Sequence, residues 1–383
     1  GEFDINVSNN EKLTISFIGY LDAVISVGNK RNIKVILKED TKTLDEVVVV
    51  GYGVQKKATL TGAVSAVTNK EITVTKNENV VNMLTGKIPG VRISQNSSQP
   101  GEFDNTIDIR GMGEPLIVVD GIPRDKAYFS RMDANEIESV SVLKDASASA
   151  IYGARGSNGV IIVTTKRAEA GENSIKASYS GWVGFDKISG KPNFMSADEF
   201  VDYKRRALAN AGQDYSDEVI FDEVELNSWK NRTFTDWYDE VWGGTAFATN
   251  HNVTVSASSK KTATMLSLGY LDQSSLIDNA GYKRFNVNFN NTFKFSDRLK
   301  LTTALLGSYS KNEALPEYIY HVYQISPLAP VRDENGELKV YPTPNESLIT
   351  NPLSEIQNNQ NATDEYSVIG SAALDWNIWD GLS

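Results

Sequence analysis

Cysteine is absent from this 383-residue chain, and histidine occurs only as His251 and His321. The first absence excludes disulfides, thiolate metal sites, cysteine nucleophiles and a lipid-anchoring cysteine. The scarcity of histidine excludes a histidine-rich metal centre and argues against acid–base catalysis by histidine. We therefore expect neither a bound metal nor a cofactor.

Positive charge is also in short supply, because 38 Lys and Arg residues face 49 Asp and Glu residues, for a formal net charge of −11. Nucleic-acid binding requires a basic patch or stripe, so this balance argues against it. Acidic residues occur in adjacent pairs such as Asp239-Glu240. Sequence neighbours point apart on a helix or strand, so such pairs give little support to an acid/base enzyme.

Long apolar runs are missing as well, and no stretch approaches the ~20 apolar residues that a membrane helix needs. Transmembrane barrels, however, cross with short alternating strands and leave only a weak hydropathy signal. No signal peptide is visible, since Gly1 opens directly into strand-like sequence. The compartment therefore has to be inferred from the body of the chain.

The first 39 residues have the alternation of apolar and polar side chains that predicts strands. We expect them to be the second half of a small β-sandwich. The apolar members are Phe3, Ile5 and Val7, then Leu13, Ile15 and Phe17, then Ile33, Val35 and Leu37.

A valine run lies beyond a short charged linker. It consists of Leu44, Asp45, Glu46, Val47, Val48, Val49 and Val50, and Gly51 and Gly53 end it. Four consecutive valines strongly favour an extended conformation. By residue type alone, the run is either a buried strand of a neighbouring sheet or an exposed strand that can pair at an edge.

Residues 54–170 mix short helical and strand patterns. Residues 80–84 predict a short helix, residues 116–119 a strand that ends in a turn at Asp120-Gly121, and residues 160–164 another strand. Between them, Lys144-Asp145 leads into a predicted small-residue helix with Ala146, Ala148 and Ala150.

Three glycines, Gly153, Gly156 and Gly159, follow that predicted helix and precede a strand. This order is wrong for a phosphate site at a helix N-terminus, so we predict a structural turn with positive φ. The charged residues nearby leave two alternatives, ion pairs with a surrounding wall or solvation. They are Arg110, Lys144, Asp145 and Arg155.

Beyond about residue 173 the pattern changes to long strands of period 2. We predict six, near 174–185, 250–258, 262–271, 284–296, 299–311 and 364–378. One face of the fourth carries Phe285, Val287, Phe289, Phe293 and Phe295, and the other carries Asn286, Asn288 and Asn290. The first connection should hold a helix, because Ser196 and Glu199 form a capping box.

Long and short connections alternate along these six strands, which is typical of outer-membrane barrels with long outer loops and short periplasmic turns. A barrel that encloses a plug has about 22 strands. We therefore expect the sequence to be part of a longer protein.

Four stretches resemble SusC/RagA-type TonB-dependent (TonB-linked) outer-membrane transporters. They are LDEVVVVGYG (44–53), LTGKIPGV (84–91), PLIVVDGIP (115–123) and SVLKDASASAIYGARGSNGVIIVTTK (141–166). Shorter runs such as Gly269-Tyr270-Leu271-Asp272-Gln273 extend the resemblance over essentially the whole chain. One departure is the short loop Met112-Gly113-Glu114, where family members usually have a longer one.

The resemblance implies a mainly β fold with a mixed α/β plug. The domains would be the end of a carboxypeptidase-regulatory-like β-sandwich (1–39), a linker with the TonB box (40–53), the plug (54–170), and the first strands and loops of an incomplete transmembrane β-barrel (171–383). A structural plug signature would comprise Arg110, Gly111, Asp120, Gly121, Lys144, Asp145, Tyr152, Gly153, Arg155, Gly156 and Gly159.

The resemblance also implies active import of oligomeric nutrients, usually glycan oligosaccharides and sometimes peptides, across the outer membrane of a Bacteroidetes-like bacterium. TonB, energised by ExbB and ExbD, would capture residues 44–50 on the periplasmic side, as a strand added to its sheet. A SusD-like lipoprotein would deliver substrate at the outer mouth. The barrel would contact outer-membrane lipid, and two transporter–lipoprotein pairs could form a dimer.

Several alternatives stay open at this stage. Tyr318, Tyr320 and Tyr323 in the last long loop could stack on sugar rings, but loop packing explains them equally well. A siderophore or cobalamin receptor is the main alternative among transporters. A surface receptor that binds without transport is the other, although it would not need the valine run.

Overall fold

The structure is a computed structural model that describes residues 12–15, 23–26, 28, 35, 47–50, 53–56, 64–145, 149–168, 170–344 and 348–379. At the N-terminal end, β1 (Lys12–Ile15) pairs antiparallel with β2 (Ala23–Ser26). The predicted strand around Leu13 is confirmed, whereas the set Phe3, Ile5 and Val7 lies outside the described residues. Of the set Ile33, Val35 and Leu37, only Val35 is described, and it is assigned to no strand.

The valine run forms β3 (Val47–Val50), and β4 (Gly53–Lys56) pairs with it antiparallel. The extended conformation predicted from four β-branched residues is therefore confirmed for the described part of the run. Val50 pairs with Gly53, so two residues connect the strands, as in a tight β-hairpin.

The next region is built on a five-stranded sheet with the order β5-β10-β11-β8-β9. Its strands are β5 (Val64–Thr68), β8 (Leu116–Val119), β9 (Ile122–Arg124), β10 (Ile137–Leu143) and β11 (Val160–Thr165). Only the β11–β8 pair is parallel. A separate hairpin joins β6 (Val91–Gln95) to β7 (Asn105–Ile109).

Both faces of this sheet are buried. Ile161 and Val163 pack into one apolar cluster with Phe129 and Ile137, and Val160 and Ile162 pack into another on the opposite face. A strand buried on both faces has no polar side to alternate with. This explains why the sequence reads Val-Ile-Ile-Val and Leu-Ile-Val-Val at these strands.

Short helices cover the sheet. They are α1 (Asn69–Ile72), α2 (Val80–Met83) and α3 (Lys126–Ser130), with 3₁₀ turns at Ala134–Glu136 and Ala150–Gly156. The helix predicted from residue 80 is confirmed. Of the predicted small-residue helix, Ala146 and Ala148 lie outside the described residues, but Ser149 is α-helical and its backbone N–H donates to the Asp145 carbonyl at 3.1 Å. Ala150 then begins a 3₁₀ helix that is broken where Gly153 adopts φ 58°.

Six long antiparallel strands follow in simple chain order. They are β12 (Ser174–Asp186), β13 (Ala246–Ser258), β14 (Thr262–Ser274), β15 (Gly281–Ser296), β16 (Leu299–Glu313) and β17 (Ala362–Trp376). All six predicted strands are confirmed. β13 begins four residues early, because Ala246 and Ala248 give too weak an apolar signal to show in the sequence.

The two faces of this sheet differ as predicted. Along β15, Phe285 is 52% exposed while its neighbour Asn286 is 6% exposed, and Phe289 is 38% exposed while Asn288 is fully buried. The odd positions therefore form an outward apolar face. The even positions face the five-stranded domain.

The two long connections and the medium-length one between β14 and β15 (275–280) fold together into a cap. Its helices are α4 (Ala197–Asn210), α5 (Asp217–Ile220), α6 (Glu223–Asn231), α7 (Trp237–Trp242) and α8 (Pro352–Asn358). The predicted capping box of α4, Ser196 with Glu199, is confirmed. The apolar core of the cap includes Trp237, Ile277, Val322 and Ile356. No helix among the described residues is long and apolar enough to span a membrane.

The two tryptophans of α7 allow a matched test of the cap. The indole Nε1 of Trp237 donates to the carbonyl of Ser326 at 3.2 Å, whereas the buried indole N–H of Trp242 has no hydrogen-bond partner among the described residues. The Ser326 carbonyl also accepts from the backbone N–H of Ala329 at 3.0 Å, so Trp237→Phe should remove one of its two hydrogen bonds and destabilise the cap by ~1 kcal/mol. Trp242→Phe should cost clearly less. Hydrogen exchange of backbone amides around residue 326 measures both, and equal effects would contradict the assignment.

Candidate functional site

The five-stranded domain packs against the inward face of the six-stranded sheet. We call this sheet the wall and its inward face the seat of the domain. The seat is lined with amides. Asparagines at alternate positions of β13 and β15 are all buried there, namely Asn250, Asn252, Asn286, Asn288 and Asn290. An amide both donates and accepts hydrogen bonds. Asn290, for example, donates to the carbonyl of Lys166 at 3.3 Å. The interface is therefore polar and uncharged along most of its length.

The two parts approach each other closely between Asp133 and Gly269 of β14. Asp133 Oδ1 accepts from the backbone N–H of Asn135 and begins the 3₁₀ turn there, while Oδ2 accepts from Asn252 Nδ2 at 3.5 Å. A Cβ on residue 269 would lie 2.7 Å from Asp133 Oδ2. A side chain at position 269 would have to displace the buried Asp133 carboxylate, so glycine is favoured there. Sequence reasoning missed this role because strand glycines have many explanations.

A second close contact lies towards the cap end of the sheet. A Cβ on Gly101 would meet the ring of Tyr282 at 2.7 Å, and Phe103 packs edge-on against the same ring with centroids 5.2 Å apart. Arg131 extends over the Phe103 ring and forms an ion pair with Glu365 of β17. The domain therefore contacts the wall at several positions along the length of its strands.

The predicted signature residue Lys144 stays within its own domain. Its side chain is 7% exposed, and Nζ donates to Ser65 Oγ and to the carbonyl of Pro89, each at 2.5 Å. Arg110 donates to the Lys144 carbonyl at 3.2 Å. Desolvation, reinforced by the Arg110 charge, lowers the pKa of Lys144. Neither alternative from the sequence holds for Lys144, which joins loops of the domain instead of pairing with the wall or with solvent.

The Asp120-Gly121 turn is a two-residue hairpin connection between β8 and β9. Both residues have positive φ, 48° and 84°, as a type I′ turn requires. The Asp120 carboxylate accepts from the backbone N–H and hydroxyl of Thr165 and pairs with Arg167 at 3.1 Å. Arg110 and Gly111 have the same left-handed pair of φ values, 56° and 78°.

The three glycines of the predicted turn have different roles. Gly153 and Gly159 have positive φ, as predicted, but Gly156 does not. At Gly156 a Cβ would lie 2.9 Å from the Ser149 carbonyl, so close packing is the reason for glycine there. Beside this turn, Tyr152 packs against the second apolar cluster, and Arg155 is exposed.

Comparison with known proteins identifies this plug-and-wall arrangement. Residues 56–160 match the TonB-dependent Receptor Plug Domain family. The chain is 38% identical over 315 residues to the TonB-dependent receptor SusC of Bacteroides thetaiotaomicron. The aligned region covers 78% of this chain and 29% of SusC. The chain is of the SusC/RagA type of TonB-dependent receptor.

Two further likenesses extend over more of the chain. A TonB-dependent receptor of Formosa agariphila is 30% identical over 98% of this chain and 38% of its own length. The solved structure of the RagAB peptide importer in its open-open state has the same fold, with a TM-score of 0.75, 23% identity, and 88% of this chain and 41% of that chain covered. The chain thus spans well under half the length of these relatives. In this family the five-stranded domain is the plug and the six-stranded sheet belongs to the barrel of an outer-membrane protein.

The receptor's valine run is only partly described. Leu44, Asp45 and Glu46 lie outside the described residues, and Val47, Val48, Val49 and Val50 are paired with β4. The free strand expected from the sequence is thus paired along one edge. In an antiparallel pair, alternate residues direct their N–H and C=O groups to the partner. With Val50 beside the two-residue turn, Val48 and Val50 bond to β4, and the backbone groups of Val47 and Val49 point to the other edge.

The three loop tyrosines lie on or beside a 3₁₀ helix of the receptor's cap, Ile319–Tyr323, and all are exposed. Tyr318 and Tyr320 pack around His321. Tyr323 stacks on Phe194 at 6.1 Å and lies 6.5 Å from Tyr238. Sequence reasoning missed Phe194 and Tyr238, because they come from the first long loop and only folding of the cap brings them to Tyr323.

The seat of the receptor's plug can be tested at Gly269. Gly269→Ala would force a methyl group against Asp133 Oδ2, and we expect the plug to become several-fold more sensitive to protease in the assembled receptor. Gly307→Ala is the matched control, because a Cβ there meets only Val287 Cβ at 3.9 Å. Limited proteolysis of membranes measures both variants. A Gly269→Ala plug as resistant as the parent would show that the seat tolerates the shift.

Proposed function

We propose that the receptor containing this chain imports oligomeric nutrients across the outer membrane by a TonB-dependent mechanism. The observation that carries the proposal is a plug seated on the polar face of a sheet whose other face is apolar. A seated plug closes a pore to free diffusion, so passage requires an energised partner. No catalytic residue is proposed, because the buried polar groups described above all serve the plug, its seat or the cap.

The dimensions of the outward face support membrane insertion. On β15 this face runs from Phe285 to Phe295, and aromatic contacts mark both ends, Tyr270–Phe285 at 5.2 Å and Phe293–Phe295 at 4.9 Å. Ten residues at ~3.3 Å each, with a strand tilt of ~40°, span roughly 25 Å of depth. That is the height of the apolar band of an outer-membrane barrel.

TonB, energised by ExbB and ExbD, is the proposed driving partner, and residues 44–50 are the proposed coupling segment. The N-terminal domain and this segment would lie in the periplasm, on the side of the short turns. The second edge of β3 offers backbone groups to a strand of TonB, which is recognition by strand addition. The hairpin with β4 would hold the segment extended and so lower the entropy cost of binding.

A SusD-like lipoprotein and an oligomeric substrate are the proposed partners on the outer side. The cap provides a folded platform there, and Tyr318, Tyr320 and Tyr323 are proposed to contact substrate. Oligosaccharide is our first candidate, because exposed aromatic rings can stack on sugar rings. Peptide is the second, because the solved relative RagAB is a peptide importer. A dimer of receptor–lipoprotein pairs is also proposed.

The coupling segment can be tested by proline substitution. Val49→Pro removes a backbone donor that points away from β4, and we expect a loss of uptake of at least about tenfold, as for deletion of residues 44–50. Val49→Ala should be mild, because strand addition relies on the backbone. The measurement is uptake of labelled substrate in cells with matched receptor levels in the outer membrane.

Val48→Pro is the matched comparison for that experiment, because it removes a donor directed to β4. It should open the hairpin and reduce uptake less than Val49→Pro. Normal uptake by the deletion variant would contradict energised import and favour a receptor that only binds.

The lipid-facing assignment can be tested by cysteine labelling. In membranes, Phe289→Cys should react with a lipid-soluble maleimide and stay protected from a water-soluble one. Asn288→Cys, its neighbour under the plug, should be protected from both until the plug is unfolded by urea. Ready labelling of residue 289 by the water-soluble reagent would reverse the assignment.

A further inference from the structure

A cleft separates α3 of the plug from the inward faces of β16 and β17. Its larger part has a volume of about 340 Å³, and a narrower part of about 20 Å³ continues from it. The two parts adjoin at a junction, because four residues line both of them, namely Arg124, Tyr128, Leu306 and Ile369. From Glu365 in the larger part to Ser371 in the narrower part, the cleft follows β17 for six residues, roughly 20 Å at ~3.3 Å per residue. It therefore runs along the strands, from the cap end of the wall towards the end with the short turns.

The plug contacts β15 closely and withdraws from β16. On β15, the side chain of Asn288 is fully buried and that of Asn290 is 3% exposed. Their register partners on β16, Leu306 and Ala304, are only half-buried. The plug thus fills the seat at β15, and the space begins at the next strand.

Small side chains of the wall leave this space. The inward positions that flank Leu306 on β16 and Ile369 on β17 are serine or alanine, namely Ala304, Ser308, Ser367 and Ser371. At the junction itself the wall carries Leu306 and Ile369, which are register partners. On the plug side of the junction lies the ring of Tyr128, with the Arg124 guanidinium 5.4 Å from its centre. The cleft is therefore wide next to the cap and constricted at one pair of apolar wall residues.

An ion pair crosses the cleft at its cap end. Arg131 of the plug and Glu365 of β17 form it, and both line the larger part. Both side chains are partly exposed, and ion pairs in that setting contribute little stability, so this contact closes the cap end without locking it. The hydroxyl groups of Ser308 and Ser367 can both donate and accept hydrogen bonds. The larger part of the cleft therefore suits a hydrated polar chain.

We infer that the substrate passes the plug along β16 and β17, in contact with Ser308 and Ser367 and past the junction at Leu306. The inference rests on the proposed function, because it assigns the route and the wall contacts of the same import. When the plug moves as a unit, this side needs the least movement to open, since the seat is filled at β15 and the cleft already extends along the strands. A polar oligomer can exchange water for hydroxyl groups along this route.

Single cysteines can test the route, because the chain has none of its own. In the whole receptor, Ser308→Cys is nearly isosteric and should assemble normally. In intact cells it should react with a small water-soluble methanethiosulfonate. The adduct should reduce uptake of labelled substrate by at least about tenfold, because a cavity of this volume cannot hold the adduct and the substrate together. A thiol reductant removes the adduct and should restore uptake, and the parent treated in the same way is the baseline.

Ser180→Cys is the matched control. Ser180 is an exposed serine that also points inward, as the register partner of Asn252, but it lies on β12, on the far side of β13–β15 from the cleft. Its adduct should leave uptake close to that of the treated parent. If Ser308→Cys does not assemble, Ser367→Cys on the facing strand of the cleft takes its place.

Three results would overturn the route while leaving the proposed function intact. They are a cysteine at position 308 that the reagent does not reach, an adduct there that leaves uptake unchanged, and an equal block by the adduct at position 180. The last would mean that any added bulk inside the barrel stops import. A parent receptor that takes up no substrate would instead contradict the proposed function, and the inference would fail with it.

Discussion

The alternation of side chains along the six long strands is the constraint on which the rest of the structure depends. A strand that directs one residue to the membrane must direct the next to the interior. Phe285, Val287 and Phe289 therefore determine that Arg284, Asn286 and Asn288 meet the plug. A slip of one residue in register would exchange the two sets, with amides and a guanidinium in lipid and aromatic rings against the plug. The register of β15 with β14 and β16 is thus set from both sides at once.

The chemistry of the inward face distinguishes this interface from a domain core. Within the plug, the sheet is buried between two apolar clusters, and its parts cannot separate without exposing that surface to water. Between plug and wall the contacts are mostly amides, together with two close approaches at glycine, one aromatic pair and the Arg131–Glu365 ion pair. Water can replace amide hydrogen bonds at small net cost. The plug is therefore internally stable but comparatively easy to displace as a unit, as the proposed import requires.

The long loops are folded into a cap with its own apolar core, which their polar composition does not predict. Trp237, Ile277, Val322 and Ile356 come from three connections and form one apolar core. The aromatic residues Phe194, Tyr238 and Tyr323 are consequently held together on a folded base, with Phe194 and Tyr323 exposed. At the opposite end of the sheet the connections are only two or three residues long. One end of the sheet thus carries a folded cap, and the other carries only short turns.

The sequence by itself determined the long strands, their two faces, the turn at Asp120-Gly121 and the extended valine run, because each follows from local periodicity or from the φ preferences of a few neighbouring residues. Only the tertiary structure decided that β4 pairs with the valine run, that Lys144 bonds within the plug, that Gly156 is required for packing, and that Gly269 of the wall meets Asp133 of the plug. These features depend on groups far apart in the chain, whose distances are set by packing. No local pattern carries that information.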